Sequence, residues 1–186
     1  MKTYIDIGAN TLGAYRKFKD KWGIDDTWQK IFVEPNPENF ETLDRAVPLI
    51  PNSMLIKKAM TDTGMPTEII TRADRRGDLA ATTMGRDWLK ACMAKFDQSA
   101  DGEVVYPVDA ITMWKLMEYV KGDRLYIKMD CEGAEFGILR DWPFYMCDLI
   151  EEMYVEFHPM NDEDRLEVER IKQKFKFYGV IIKDWE

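Results

Sequence analysis

Cysteine, long apolar runs and a leader segment are scarce or missing in this 186-residue sequence. The three cysteines, Cys92, Cys131 and Cys147, are too few and too far apart for a disulfide framework or a structural zinc site, and we expect small buried hydrophobic residues. No window approaches the roughly 18 apolar residues of a membrane span, so no membrane partner is expected. The first apolar strand begins directly after Thr3, which leaves no room for a signal peptide and predicts a cytoplasmic protein.

Positive charge is also in short supply. The chain has 26 Lys and Arg against 34 Asp and Glu, and its net charge is −8. A protein with this balance repels the phosphate backbone, so we expect no duplex nucleic acid as a partner.

Short apolar segments alternate with helical patterns along the chain. Six apolar segments predict strands: Tyr4–Ile7, Lys30–Glu34, Met54–Met60, Leu125–Asp130, Ile150–Phe157 and Tyr178–Lys183. Apolar residues at helical spacing predict helices between them: Leu12–Trp22, Asn36–Val47, Ala110–Val120, a helix from Glu135 through Leu139, and one through Leu166–Phe175. Because β-α-β units require right-handed crossovers, the predicted fold class is α/β, a single domain (residues 1–186) with a mostly parallel sheet and helices on both faces.

An irregular insertion, residues 71–105, interrupts this alternation. Two further predicted strands, Pro66–Thr71 and Val104–Val108, flank it, and a helix is expected near Arg86–Phe96. Residues 71–95 hold six basic and three acidic side chains, a local excess of three positive charges. This segment is either a solvated loop or a substrate rim that attracts an anion.

A glycine-punctuated turn follows the first strand and opens a helix, as in parallel sheets that present backbone N–H groups to a cofactor. Gly8, Asn10 and Gly13 imitate the dinucleotide pattern GxGxxG, but Asn10 crowds the place of a pyrophosphate. Asp6 would repel a pyrophosphate and suits a cationic ligand. Glu34 stands 21 residues after Gly13, where an acidic residue accepts hydrogen bonds from ribose hydroxyls. These charges favour S-adenosylmethionine, which has a ribose and a sulfonium but no phosphate.

Carboxylates recur where the predicted strands end, and ligands of open parallel sheets bind at those ends. Beyond Asp6 and Glu34, the later strands end in Asp130 with Glu132, and in Glu156 with His158. Chance is a poor explanation, because unpaired charges are costly in otherwise apolar strands.

These motifs resemble the FkbM family of class I S-adenosylmethionine-dependent methyltransferases. The matching stretches, in order, are Asp6–Asn10, Val33–Phe40, Lys58–Asp62, Ile127–Glu135 and Glu156–Pro159. The resemblance implies a Rossmann-like methyltransferase, often acting on a hydroxyl of a sugar or natural product. We therefore expect O-methylation of a small-molecule or carbohydrate acceptor.

The resemblance also assigns roles to single residues. Asp6, Gly8 and Asn10 would hold the methionine part of the cofactor, Glu34 would take the ribose, and Asp130 would face the methyl group. The full set of expected cofactor-binding residues is Asp6, Gly8, Ala9, Asn10, Gly13, Glu34, Pro35, Asn36, Ala59, Met60, Asp62 and Asp130.

The chain departs from the family pattern in three places. The family usually has Gly two residues after the Asn, where this chain has Leu12, so either the turn is one residue longer or Gly13 takes over the role. The chain also starts almost at the first strand. It ends after a single last strand, where class I methyltransferases usually close with a hairpin, so we expect a short N-terminus and a shortened C-terminal edge.

The candidate catalytic residues are Asp130, Glu132 and His158. His158, the single histidine, is either a general base that removes a proton from a hydroxyl or a cap on a strand end. Asp130 and Glu132 could orient the acceptor, act as base or bind a divalent ion, and we assign no metal ligand. Lys128 is expected to make a structural ion pair, and Glu135 to sit favourably in the first turn of a helix.

Aromatic residues give weaker signals. Trp88 and Trp114 could stack on a sugar ring, although we expect Trp114 in the core. The polar Thr82 and Thr83 in the insertion could contact substrate.

Two other functions stay open. An NAD(P)-dependent oxidoreductase is disfavoured by Asp6, by Asn10 and by the lack of an obvious Tyr-x-x-x-Lys pair. A non-catalytic binding protein with a degenerate methyltransferase fold is the second alternative. The oligomeric state is not specified.

Overall fold

The computed structural model describes residues 1–72, 84 and 103–185. Within them the main elements alternate between strands and helices. The strands are β1 Lys2–Ile7, β2 Gln29–Val33, β3 Ser53–Ile56, β4 Ala59–Met60, β5 Thr67–Arg72, β6 Glu103–Val108, β7 Ala110–Ile111, β8 Arg124–Met129, β9 Ile150–Val155 and β10 Ile182–Asp184. The α-helices are α1 Gly13–Trp22, α2 Pro37–Ala46, α3 Met113–Met117, α4 Glu135–Arg140 and α5 Asp162–Phe177, and 3₁₀ turns cover Val47–Leu49 and Phe144–Leu149.

A six-stranded sheet in the order β10-β9-β8-β1-β2-β3 forms the centre, and its neighbouring strands all pair in parallel. The chain builds outward from β1 to β3, returns to the other side of β1 with β8, and builds outward again. The strand order therefore reverses between β1 and β8. In open parallel sheets the crevice beyond the carboxyl ends of such strands is where ligands bind.

Two apolar cores, one on each face of the sheet, follow from the alternation of side chains along the strands. Ile5 and Ile7 of β1 join a core with α4 and α5, to which Ile171 and Phe175 contribute. Tyr4 faces the other way, into an aromatic-rich core under α1 and α2. The predicted α/β fold with a parallel sheet and helices on both faces is confirmed.

Three predicted elements are wrong in detail. The strand predicted at Tyr178–Lys183 is confined to Ile182–Asp184, because the chain makes a turn at Tyr178 and Gly179 directly after α5. The strand predicted at Met54–Met60 is split, because its second half pairs with β7 in a separate two-stranded sheet. The helix predicted at Ala110–Val120 shrinks to α3, because Ala110 and Ile111 are in β7, and Met113 and Leu116 then face the core.

Trp114 was expected in the core and is 56% exposed. Because β7 shifts the phase of the helix that follows it, Trp114 turns outward and packs against Tyr145, with ring centroids 4.9 Å apart.

The two predicted strands that flank the insertion are present as β5 and β6, away from the central sheet, and the structure pairs them antiparallel with each other. Tyr106 of β6 ties them to α2 by donating a hydrogen bond to Glu38 at 3.0 Å. The predicted helix near Arg86–Phe96 lies outside the described residues, together with Thr82, Thr83, Trp88, Cys92 and most of the basic segment. None of the helices in the described part of the chain is long and apolar enough to cross a membrane.

The cysteines that the structure describes are free. Cys147 is buried as expected, and Cys131 is half-buried at the end of β8.

Candidate functional site

The turn after β1 is built from residues with positive φ and is closed by its own hydrogen bonds. Gly8 has φ 77°, and a β-carbon there would collide with the backbone carbonyl of Asp130, so only glycine fits. The N–H groups of Gly8 and Ala9 both donate to the Val33 carbonyl, at 2.9 and 3.0 Å. Contrary to the expectation from the sequence, these backbone donors bond within the fold instead of pointing at a ligand.

Leu12, at the position where the family usually has glycine, takes a conformation that favours glycine. Its φ is 66°, in the left-handed region, and it is the residue directly before α1. Gly13, by contrast, begins the helix in an ordinary conformation with open space around its Cα. Gly13 therefore does not take over the role of the family's glycine, because Leu12 itself holds the left-handed conformation. The Leu12 side chain is buried in the aromatic core, which compensates for the backbone strain.

Glu34 connects this turn to the start of α2. Its carboxylate accepts hydrogen bonds from Asn10 N at 2.7 Å, Asn36 N at 2.9 Å and the Asn39 side chain at 3.2 Å. Burial raises the pKa of Glu34, and these donors work against that rise. A carboxylate has about four acceptor positions, so Glu34 can accept one more donor such as a ribose hydroxyl.

The other predicted cofactor residues are spread around this pair of turns. Asn36 is the N-cap of α2, accepting from Glu38 N, and Pro35 precedes it half-buried. Ala59 and Met60 are buried in β4. Asp62 is exposed and lies beside Gly137 of α4. The structure thus brings Gly8, Ala9, Asn10, Glu34 and Asn36 together, and places Ala59, Met60, Asp62 and Gly13 outside that hydrogen-bonded group.

Asp6 lies beneath the turn and has no exposed surface. It accepts a hydrogen bond from the Tyr4 hydroxyl at 2.9 Å, and Lys128 stands 3.4 Å away on the neighbouring strand β8. Burial raises the pKa of Asp6, while Lys128 opposes that rise. The predicted structural ion pair of Lys128 is confirmed. Lys128 also donates to the Gly8 carbonyl at 2.7 Å, so it ties the turn to β8.

A second group of residues lies beyond the carboxyl ends of β8 and β9. The Nε2 atom of His158 is 3.5 Å from Glu132, 3.8 Å from Glu156 and 3.9 Å from Asp130. On the other side of the ring, Nδ1 lies 2.8 Å from Glu135. We call these five residues the histidine–carboxylate cluster. It adjoins the glycine turn, because Asp130 N donates to the Ile7 carbonyl at 2.9 Å.

The protonation of this cluster follows from burial and from the number of carboxylates around one ring. Burial disfavours a charge on His158, but the carboxylates of Glu135, Glu132 and Asp130 outweigh burial and raise its pKa to about 9. Burial, with the neighbouring negative charges, also raises the pKa of Glu132 to about 7. The ring of His158 is therefore protonated at neutral pH, which does not favour the predicted role as base. Glu132 has a pKa better matched to taking a proton near neutral pH.

The backbone is strained at the same place. Glu132 has φ 50°, in the left-handed region that disfavours residues other than glycine. Such conformations cluster at functional sites, where the surrounding structure holds them.

Sequence reasoning missed two contributors. Glu135 was assigned only to a helix dipole, but its fully buried carboxylate holds the ring of His158. Asn39 was given no role and bonds Glu34. The spacing of Glu132 and Glu135, three residues apart across the start of a helix, was the available signal for the first.

The donor set tests which cofactor fits. A pyrophosphate needs free backbone N–H groups at the turn, and here those of Gly8, Ala9 and Asn10 are all bonded within the protein. A phosphate-free nucleoside with a ribose suits a buried acceptor, Glu34, next to the exposed side chain of Asn10. The residues present therefore fit S-adenosylmethionine better than a dinucleotide.

The fold and the site together define a Rossmann-like α/β protein with polar groups gathered at its switch point, the place between β1 and β8 where the strand order reverses. The profile of the Methyltransferase FkbM domain family matches residues 6–182. The chain therefore belongs to this methyltransferase family, as the resemblance of its motifs predicted.

One solved structure similar to the chain is that of a methyltransferase FkbM from Methylobacillus flagellatus KT, with a TM-score of 0.53 and 12% sequence identity. The match covers 93% of this chain and 38% of that protein, so this chain spans well under half of its length. This similarity concerns the fold. No curated protein matches the chain significantly.

Proposed function

We propose that the chain is an S-adenosylmethionine-dependent methyltransferase that methylates a hydroxyl of a sugar or another small polar acceptor. The observation that carries the proposal is the contact between Gly8 and the Asp130 carbonyl. It brings the turn after β1 and the histidine–carboxylate cluster to one crevice at the switch point. A cofactor pocket and a proton-accepting group have to adjoin for methyl transfer to a hydroxyl.

The two sides of the crevice have different tasks in this proposal. Glu34 accepts a hydrogen bond from a ribose hydroxyl, and the Asn10 side chain makes a hydrogen bond to the polar end of the methionine moiety. S-adenosylmethionine, when bound, supplies a methyl group on a sulfonium. Asp130 orients the acceptor hydroxyl, and Glu132 takes its proton. His158 balances the charge of the carboxylates around it.

Titration calorimetry with S-adenosylhomocysteine and, separately, with NAD⁺ tests the cofactor. We expect saturable binding of S-adenosylhomocysteine alone. Binding of NAD⁺ alone would overturn the proposal in favour of the oxidoreductase. A chain that binds S-adenosylhomocysteine but transfers no labelled methyl group to any of a broad panel of sugars and hydroxylated small molecules would be the non-catalytic alternative.

The Glu34→Gln variant tests the ribose contact. Alanine would also free three donors and loosen both turns, so the isosteric amide is the sharper change. We expect it to weaken S-adenosylhomocysteine binding by about 1–3 kcal/mol, the range for a charge-assisted hydrogen bond. Glu41→Gln is the matched control, because Glu41 is exposed on α2 and pairs with Arg45. Equal affinities of the two variants would remove Glu34 from the ribose.

A further inference from the structure

We propose that Asp130, Glu156 and His158 bind one divalent transition-metal ion of the Mn²⁺ type. The three residues come from the ends of two adjacent strands, β8 and β9. One ligand atom from each lies within 4.8 Å of the other two.

The spacing suits ligands of a common ion. With metal–ligand bonds of about 2.1 Å, neighbouring ligand atoms are about 3.0 Å apart and opposite ones about 4.2 Å apart. Nε2 of His158 lies 3.9 Å from Oδ1 of Asp130 and 3.8 Å from Oε1 of Glu156, between these limits. Two of the three ligand pairs therefore have the spacing of a shared ion, and the third pair lies within 4.8 Å, so adjustment of the side chains alone would close the site.

The ring of His158 is held in the orientation that a metal ligand needs. Glu135, which has no exposed surface, accepts hydrogen bonds from the His158 backbone N–H at 2.9 Å and faces Nδ1 at 2.8 Å. Its other carboxylate oxygen accepts from Gly133 N at 3.0 Å, so the carboxylate itself is fixed. A carboxylate behind the ring is the usual outer partner of a ligating histidine, and it directs Nε2 toward the ion.

Asp130 provides an independent observation. Its Oδ2 atom lies 3.5 Å from Lys128, but Oδ1 is buried and has no hydrogen-bond donor among the described residues. A buried carboxylate oxygen without a donor is costly. Oδ1 is also the oxygen that faces Nε2 of His158. A cation between them would satisfy it.

The ligand set indicates which ions fit. Mg²⁺ and Ca²⁺ prefer oxygen ligands alone, whereas an imidazole with two carboxylates suits Mn²⁺, Fe²⁺ or Zn²⁺. The competing explanation is a protonated His158 that pairs with the carboxylates and binds no ion. The entering ion would take the place of the proton on Nε2, which leaves to solvent.

The ion would deepen the proposed function, on which this role rests, by polarising an acceptor hydroxyl beside Glu132. Binding of the ion does not depend on methyl transfer and is tested without cofactor or acceptor. Chelator-treated, dialysed protein is titrated with MnCl₂, and free Mn²⁺ is followed by electron paramagnetic resonance. We expect saturation at one ion per chain, and weaker binding of Mg²⁺ and Ca²⁺ in competition.

Three variants and a control locate the site. Glu156→Gln is the mildest, because Glu156 is half-exposed on a strand end, and both it and His158→Ala should weaken Mn²⁺ binding at least tenfold. Glu135→Gln, a positioning change, should weaken it about 10–100-fold, the range for an outer partner. Glu151→Gln, an exposed carboxylate at the opposite end of β9, should leave it unchanged. Circular dichroism spectra identify any variant that does not fold.

Several outcomes would overturn the site: no Mn²⁺ bound at millimolar concentration, equal affinity for Mg²⁺, or unchanged Mn²⁺ binding in both Glu156→Gln and His158→Ala. The two proposals fail separately. Methyl transfer by a chain that binds no Mn²⁺ in the titration overturns the metal site and leaves the proposed function standing. Site-specific Mn²⁺ binding without any methyl transfer overturns the proposed function and leaves the metal site standing.

Discussion

The two halves of the crevice are built on opposite principles. On the side of β1 and β2, most of the contacts that close the turn come from backbone N–H groups, and the carboxylate of Glu34 has three donors. On the side of β8 and β9, four carboxylates surround one imidazole, and one of their oxygens is buried without a donor. The first half also contains a buried oxygen without a hydrogen-bond donor, Oδ1 of Asp6, but the fixed charge of Lys128 lies 3.4 Å from it, whereas the second half depends on a ring that can gain or lose its proton. In the proposed function this difference has a purpose, because a turn that binds a cofactor is best preformed and a group that takes a proton has to respond to charge.

Lys128 belongs to both halves, and its removal should have the largest effect. Lys128→Met leaves Asp6 fully buried without its cation and frees the Gly8 carbonyl. Breaking a buried ion pair from one side costs about 3–5 kcal/mol of unfolding free energy. Urea unfolding measures it, with Lys57→Met as control, because the pair of Lys57 with Asp44 is exposed and contributes below about 1 kcal/mol. Similar losses in the two variants would show that the buried pair is not structural.

Gly8 tests the rigid half alone. Gly8→Ala places a β-carbon against the Asp130 carbonyl in a backbone conformation that disfavours side chains, and we expect a loss of about 2–4 kcal/mol. Gly13→Ala is the matched change in the same turn, with open space and ordinary φ. It should be neutral or stabilise by up to about 1 kcal/mol, since alanine suits a helix better. Equal losses at both positions would contradict the described turn.

The charged half predicts a dependence on pH. The pKa of His158 is about 9 in the folded chain and about 6.5 when unfolded, so the folded state binds the extra proton between these values. The stabilisation is complete below pH 6.5 and is lost as the pH rises through 9. Glu132, with a folded pKa of about 7, acts in the same direction between pH 4.5 and 7.

The size of this effect is on the order of 3 kcal/mol for His158, and urea unfolding in chelator at pH 6 and pH 9.5 measures it. His158→Gln should flatten the curve above pH 7. A wild-type chain whose unfolding free energy does not fall over this range would show that the carboxylates do not hold a proton on the ring.

How much of this the sequence could predict differs between the two halves. The strand ends, the role of Gly8 as a turn residue and the convergence of Asp130 and His158 follow from periodicity and from the rule that parallel strands end together. The hydrogen-bond partners of the side chains do not follow from periodicity. Whether Glu34 points to a ligand or to Asn10 depends on rotamers, and whether His158 is a base depends on four carboxylates brought together from two strands and one helix.

The errors in the fold have a similar origin. Ala110 and Ile111 are apolar and precede a helical pattern, so sequence alone could not separate β7 from α3. Ala110 and Ile111 form a strand because they pair with β4, about 50 residues earlier in the chain. Such distant pairing overrides local propensity. Trp114 then faces outward as a consequence.

The smallest expected effect is the difference in stability between two variants of Leu12, and the sign of that difference tests the backbone conformation. Leu12→Ala and Leu12→Gly both lose the burial of the leucine side chain, at about 2–3 kcal/mol. Alanine keeps the strain of a left-handed residue, whereas glycine releases about 1 kcal/mol of it. The glycine variant should therefore be more stable than the alanine variant by about 1 kcal/mol in urea unfolding. At Ala14, inside α1 and half-buried, the order should be reversed, because alanine is the better helix former there. If alanine were preferred at both positions, the left-handed conformation of Leu12 would be wrong, and with it the explanation of how this turn works without the glycine its family uses.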